Sequence, residues 1–219
     1  MAADTVTQPQ IVGIGGYPDR RLFEYVLSLA RGRRVLVDRT ASPQLASGLD
    51  LPGELTEITF YPWPPESLRE LALAHDVILV CGGNTANMLA VWRVHGFDAI
   101  LREAWEAGVV LTGWSAGMIC WFEAGVTDSF GPALEGMRDG LGFLRGSACP
   151  HYDGEERRRP VYTRLVREGF PAGIALDDGV GAHYVGADLR AVVTSRPDAG
   201  GYRVDAEGER PLDVVRLEA

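Results

Sequence analysis

The stretch that decides the reading is Val109-Val110-Leu111-Thr112-Gly113-Trp114-Ser115-Ala116-Gly117-Met118-Ile119-Cys120-Trp121-Phe122. Its first four residues are β-branched or apolar and predict a short buried strand. Met118 to Phe122 is apolar and predicts a buried helix. Between them Gly113-Trp114-Ser115-Ala116-Gly117 spells G-x-S-x-G. In a strand–turn–helix setting this pattern makes a sharp turn that lifts the serine hydroxyl clear of the sheet. Glycines permit the turn because a Cβ would obstruct it. The same turn leaves backbone N–H groups facing the space above the serine, where an oxyanion can be held. Ser115 is therefore the candidate nucleophile. The pattern alone also arises as a chance Gly/Ser turn, so its weight depends on what flanks it.

Working outward, strands and helices alternate. Gln10 to Ile14, Arg34 to Asp38, Leu55 to Phe60 and Asp76 to Val80 read as strands. Asp19 to Ala30, Glu66 to His75, Ala86 to Val94 and Phe97 to Ala107 carry helical spacing. Asp19 is placed to cap the first of these helices. Ala41 to Gly53 reads as loop. Such alternation predicts a mostly parallel sheet with crossover helices, and ligands then gather beyond the carboxyl ends of the strands. Two glycine-rich turns fall there, Gly82-Gly83-Asn84-Thr85 and Gly113 to Gly117. After Phe122 the pattern changes. Gly125 to Phe130 reads as a short strand, Pro132 to Ser147 as irregular, and Pro160 to Glu168 as a helix. Later strands are expected over Gly173 to Leu176, Val180 to Tyr184, Arg190 to Ser195, Gly201 to Val204 and Val214 to Leu217. No linker divides the chain, so residues 1–219 are expected to form one α/β domain with residues 1–9 as a flexible tail.

The 219 residues are 46% hydrophobic and 23% charged, which suits a chain with a real core. The formal net charge of −9 argues against a nucleic-acid or anionic-membrane surface. Cys81, Cys120 and Cys149 are odd in number and form no C-x-x-C, as expected of reduced thiols in a cytoplasmic protein. No apolar run reaches membrane-spanning length, and the start of the chain lacks signal-peptide features.

A serine hydroxyl needs a base to take its proton and a carboxylate to orient that base. His75 and His95 sit at helix ends, and His95-Gly96 looks like a helix stop. His151 follows Pro150 among polar residues and is the preferred base, with His183 in reserve on a late strand. For the acid, Asp128 follows the serine helix after a chain reversal. Glu123, at the end of that helix, is the alternative, although a rise of ~1.5 Å per residue sets it roughly 12 Å from Ser115 along the axis. Asp153, Asp177 and Asp178 are further candidates. Gly82-Gly83-Asn84-Thr85 is either a capped strand-to-helix turn or the second oxyanion donor, through the Gly83 N–H. It is no phosphate loop, since G-x-x-x-x-G-K-S/T is absent.

Three blocks in order, Cys81-Gly82-Gly83-Asn84-Thr85-Ala86-Asn87-Met88-Leu89, Gly113-Trp114-Ser115-Ala116-Gly117 and Cys149-Pro150-His151, resemble the peptidase E family. The resemblance runs from about Ile11 to Tyr184. It implies cytoplasmic serine dipeptidases, typically aspartyl dipeptidases, related to cyanophycinases. It also implies a flavodoxin-like sandwich similar to class I glutamine amidotransferases, with extra C-terminal strands here. By position it makes Ser115 the nucleophile, His151 the base, and Gly83 and Ala116 the oxyanion hole. It points to Asp128 as acid and leaves Glu123 open. Family members with aspartyl specificity hold the substrate carboxylate with an arginine after the histidine, which here means Arg157, Arg158 or Arg159. Asn84 is expected at the substrate as well, and Asp178 is placed to take a substrate amino group. The expected partner is a short peptide, with no cofactor or metal, no nucleic acid and no membrane, and with a homodimer left open. An esterase or amidase using the same triad, or a silent binder of small molecules, are the rival readings.

Overall fold

The computed structural model describes residues 8–44 and 49–218. The expected N-terminal tail therefore lies mostly outside the described residues, as does part of the 41–53 loop. An eight-stranded sheet forms the centre, in the order Val214–Arg216 (β14), Asp188–Thr194 (β11), Val180–Val185 (β10), Gln10–Ile14 (β1), Val110–Trp114 (β5), Val77–Val80 (β4), Arg34–Asp38 (β2) and Glu54–Ile58 (β3). From β1 to β3 every pairing is parallel, and β10 joins β1 antiparallel. The fold is thus the flavodoxin-like α/β arrangement expected of the strand–helix alternation.

Side-chain alternation sorts the sheet's two faces. Val12, Ile14, Val35, Val37, Val77, Leu79 and Val110 pack on one side with Leu22, Phe23, Val26 and Leu27 of Arg20–Ser28 (α1). Those four helix residues contribute burial of roughly 1.5–3 kcal/mol each. Asp19 caps α1 by accepting from the Leu22 N–H at 2.8 Å. The intervening residues Ile11, Leu36, Ile78, Val80 and Leu111 point to the other side. There they meet Thr85–His95 (α3) and Phe97–Glu106 (α4), with Leu68–Ala74 (α2) at the edge of the same cluster.

Between Ser115 and Cys149 the chain departs from the sequence reading. The helix after Ser115 is one turn, Ala116–Ile119 (α5), and the chain is already a strand at Phe122–Thr127 (β6). The region expected to be irregular contains Glu135–Met137 (β7) and Leu144–Cys149 (β8). With Gly173–Leu176 (β9), Gly201–Asp205 (β12) and Gly208–Pro211 (β13) they build a second, six-stranded sheet in the order β13-β12-β9-β8-β6-β7. Glycines at 136, 140, 142 and 146 suppress the strand signal in this stretch, and sheet pairing supplies what the local pattern lacks. One face of this sheet adds Phe122, Leu144, Ala148, Ile174 and Leu176 to the central cluster. Its other face, Ala124, Val126, Cys149 and Ala175, is covered by Tyr162 and Val166 of Arg158–Arg167 (α6). All three cysteines are buried and unpaired, and burial pushes the Cys81 and Cys149 thiols up to about 12. No helix among the described residues is long and apolar enough to cross a membrane.

Candidate active site

Ser115 follows β5 with φ 55° and ψ −112°, a conformation that costs a non-glycine residue about 1–3 kcal/mol. The surroundings hold it there. Its N–H donates to the Ile14 carbonyl at 3.2 Å, and its own carbonyl accepts from the Met118 and Ile119 N–H groups at 2.9 and 3.0 Å. The flanking glycines are needed because the turn lies against β4: a Cβ on Gly117 would stand 2.1 Å from the Val80 carbonyl oxygen. The strained serine of the G-x-S-x-G reading is therefore present, although the helix behind it is much shorter than expected.

His151 comes from the other sheet, two residues beyond β8, and also has a positive φ, 53°. Its N–H donates to the Gly15 carbonyl at 3.1 Å. Consecutive carbonyls at the end of β1, Ile14 and Gly15, thus hold the backbones of the serine and the histidine. Imidazole Nδ1 lies 2.6 Å from Asp178 Oδ1. A carboxylate on Nδ1 makes that nitrogen the protonated one and leaves Nε2 able to accept a proton.

Asp178 lies in the turn between β9 and β10, where the chain crosses between the two sheets. Its N–H donates to Asp153 Oδ1 at 2.8 Å, and its carbonyl accepts from Arg196. Gly16 and Gly154 wall in the carboxylate, since a Cβ on either would come within 2.1 and 2.4 Å of its oxygens. The residue read as a substrate contact is therefore bonded to the histidine. Asp178 was also, with Asp153 and Asp177, among the further candidate acids in the sequence.

Neither of the two carboxylates preferred from sequence is bonded to His151. Glu123 is exposed on β6, and its carboxylate accepts from the Gly146 N–H at 2.8 Å. The one-turn helix delivers it into a strand rather than along a helix axis towards His151. Asp128 does reach the crevice. It lines a cleft of about 300 Å³ with Ser115, Gly83, Asn84, Glu155 and Arg158, and it makes no hydrogen bond to His151.

Of the two expected oxyanion donors, Gly83 lines this cleft and Ala116 directly follows Ser115, which also lines it. Gly83 has φ 141°, and among the described residues nothing accepts from its N–H. Ala116 is the first residue of α5, so its N–H has no acceptor within the helix. Asn84 caps α3: its Oδ1 accepts from the Asn87 N–H and its Nδ2 donates to the Ser129 carbonyl, both at 2.9 Å. Its side chain is thus occupied in holding the turn at the wall of the cleft.

The three arginines are also engaged. Arg158 is buried, donates Nη1 to the Val126 carbonyl at 2.8 Å and pairs with Glu155 at 2.7 Å. Burial pushes the Glu155 carboxyl up, but the Arg158 bond and charge, with His151 and Arg157, outweigh it and hold the group below its ordinary value. Arg157 donates to the Pro132 carbonyl at 3.1 Å. Arg159 pairs with Glu209 at 2.6 Å and lies over the rings of Tyr152 and Tyr202. Of the three, only Arg158 reaches the cleft, and it arrives neutralised. The remaining histidines stay outside: His183 lies between Tyr25 and Gln10, with its pKa lowered by burial and then by Arg190, and His75 bonds the Leu71 carbonyl.

Known proteins resemble this chain in sequence and in fold. Residues 44–192, which contain Gly83, Ser115, His151 and Asp178, match the model of peptidase family S51. The uncharacterized peptidase YgaJ of Bacillus subtilis (strain 168) is 49% identical over 150 residues, 68% of this chain and 64% of its own length. A peptidase E from Shewanella denitrificans is 29% identical over 152 residues, 65% of this chain and 63% of its own length. The chain thus aligns to just under two thirds of the length of both. A crystal structure of a peptidase from an acI-B1 Actinobacterium superposes with a TM-score of 0.66 at 15% identity, covering 94% of this chain and 95% of that one, which is a likeness of fold. The strained serine of the G-x-S-x-G turn and the family match over residues 44–192 agree: this protein belongs to peptidase family S51.

Proposed function

We propose that the protein is a serine peptidase that hydrolyses short peptides, a dipeptidase in the cytoplasm, through a covalent acyl-enzyme. The observation that carries this reading is the 2.6 Å bond between His151 Nδ1 and Asp178, with the N–H groups of His151 and Ser115 bonded to the consecutive Gly15 and Ile14 carbonyls. Ser115 Oγ attacks the scissile carbonyl while His151 Nε2 takes its proton. The same nitrogen then returns the proton to the leaving amine, and a water repeats the sequence to release the acid. Asp178 keeps the imidazole in the required tautomer and stabilises the imidazolium. The Gly83 and Ala116 N–H groups receive the oxyanion. Selectivity for N-terminal aspartate has less support, because each arginine that would hold the side-chain carboxylate already has a partner.

The test is a panel of Asp-Xaa, Glu-Xaa and neutral dipeptides with wild type and Ser115→Ala. Cleavage that the variant loses supports the reading, and the pattern across the panel reports the side-chain preference. Hydrolysis that survives in Ser115→Ala would overturn it. p-Nitrophenyl ester turnover without dipeptide turnover would favour an esterase.

A further inference from the structure

The Gly82–Gly83 peptide presents a problem of definition. Among the described residues only the Tyr61–Pro62 bond is cis, so this peptide is trans and its C=O and N–H point in opposite directions. The Gly83 N–H faces a Ser115 oxyanion only while the Gly82 carbonyl is turned the other way. Glycines on both sides of the peptide make rotation of the whole unit cheap, and a flipped peptide would present a carbonyl oxygen to the developing negative charge.

One side chain opposes that flip. The Ser42 hydroxyl donates to the Gly82 carbonyl at 2.9 Å. The following peptide is held by the same loop, since the Asn84 N–H donates to the Ala41 carbonyl at 2.9 Å. Ser42 is buried, and its Oγ lies so close that a Cβ on Gly83 would stand 2.1 Å from it. A Cβ on Gly82 would meet Trp114 Nε1 at 2.8 Å and Ser115 Cβ at 3.2 Å. The turn is therefore packed closely against the 41–42 loop and against Trp114-Ser115. The loop in turn is anchored on Asp38, a fully buried carboxylate at the end of β2. Its Oδ1 accepts from the Thr40 N–H at 3.0 Å and from the Thr40 hydroxyl, and its Oδ2 accepts from Trp92 Nε1 at 2.8 Å. The Ser42 N–H closes the loop on the Arg39 carbonyl at 3.0 Å.

We propose that Ser42 is a positioning residue of the hydrolytic site, its hydroxyl holding the Gly82–Gly83 peptide so that the Gly83 N–H faces the oxyanion. The inference rests on the serine peptidase reading above. Ser42 touches no reacting atom. Its effect is on how much of the time one oxyanion donor is correctly turned, so it acts on the transition state and not on ground-state binding.

An alkyl fluorophosphonate tests this independently of peptide preference, because its phosphoryl oxygen takes the oxyanion's place while Ser115 displaces fluoride. The saturating labelling rate and the half-saturation concentration are measured by intact mass for the full chain as wild type, Ser42→Ala, Ser42→Cys and Ser115→Ala. Removing an oxyanion donor outright costs about 10²–10³ in rate. Losing only its anchor is expected to lower the saturating rate roughly 10- to 100-fold, with half-saturation within about twofold of wild type. Ser42→Cys, which keeps a weaker donor in place, is expected between the two, and it carries the test if Ser42→Ala does not fold. Labelling of Ser115 at an unchanged rate in both Ser42 variants overturns the positioning role and leaves the peptidase reading standing. A loss seen only in half-saturation also overturns it. Wild type that is not labelled at Ser115 overturns both.

Discussion

Asp178 Oδ1 lies 2.6 Å from His151 Nδ1 because the two residues leave adjacent parallel strands. Cys149 of β8 pairs with Ala175 of β9, and the loops beyond those positions run side by side. A histidine and a carboxylate distant in sequence thus become neighbours by sheet register alone. The same sheet meets the end of β1 through the Gly15 carbonyl, which brings the pair to the strand that holds Ser115.

The partner of His151 can be tested against its rivals. Asp178→Asn keeps the shape and presents the wrong hydrogen-bonding partner to Nδ1. It is expected to lower kcat about 10³- to 10⁴-fold on whichever dipeptide is turned over. Glu123→Gln is expected to leave kcat within about twofold, since that carboxylate serves Gly146. Equal losses in both variants would show that Asp178 has no special role.

The turn itself has a stability signature. Gly117→Ala introduces a Cβ 2.1 Å from the Val80 carbonyl oxygen, a backbone atom that cannot swing away. Overpacking of this kind costs about 1–3 kcal/mol, a fall in Tm of roughly 2–12 °C for a chain of this size. Thermal unfolding reads it directly. An unchanged Tm would mean that β4 and the serine turn are not in close contact.

Asp38 predicts a pH dependence. Burial raises its pKa from 3.8 to about 6, although Thr40 and Trp92 bonds oppose the rise. The folded state then holds the proton more tightly than the unfolded state. The contribution to stability is full below the unfolded pKa and is lost as pH rises through about 6. Wild type minus Asp38→Asn, measured by urea unfolding across that window, isolates the group. The difference is expected to shrink by about 3 kcal/mol with rising pH. A difference that stays flat or grows would show that the carboxylate is ionised at little cost.

Arg158 is predicted to be structural. Arg158→Met keeps much of the volume, strips the Val126 carbonyl of its donor and leaves Glu155 unpaired. A loss of about 1–3 kcal/mol in urea unfolding is expected. If Arg158 instead served an aspartyl substrate, the variant would keep its stability and lose Asp-Xaa turnover selectively.

The sequence by itself determined what is local. Alternating apolar strands and amphipathic helices announced the parallel sheet from β1 to β5. Gly113 to Gly117 announced the serine turn, and Asp19 and Gly96 marked helix ends, because each depends only on neighbours a few residues away. Even Pro150-His151 stood out among the histidines, since His75, His95 and His183 fell on helix ends or a strand. β7 and β8 were hidden because this glycine-rich stretch owes its pairing to partners elsewhere in the second sheet. Which carboxylate serves His151 was decided only by tertiary structure. Asp128, Glu123 and Asp178 are chemically alike, and their roles follow from where two sheets meet: β6 carries Glu123 away, the cleft receives Asp128, and the crossover into β10 brings Asp178 onto the imidazole. Likewise, nothing near Ser42 in the sequence announces a role, because its bond to Gly82 joins the ends of two strands that only the folded sheet sets side by side.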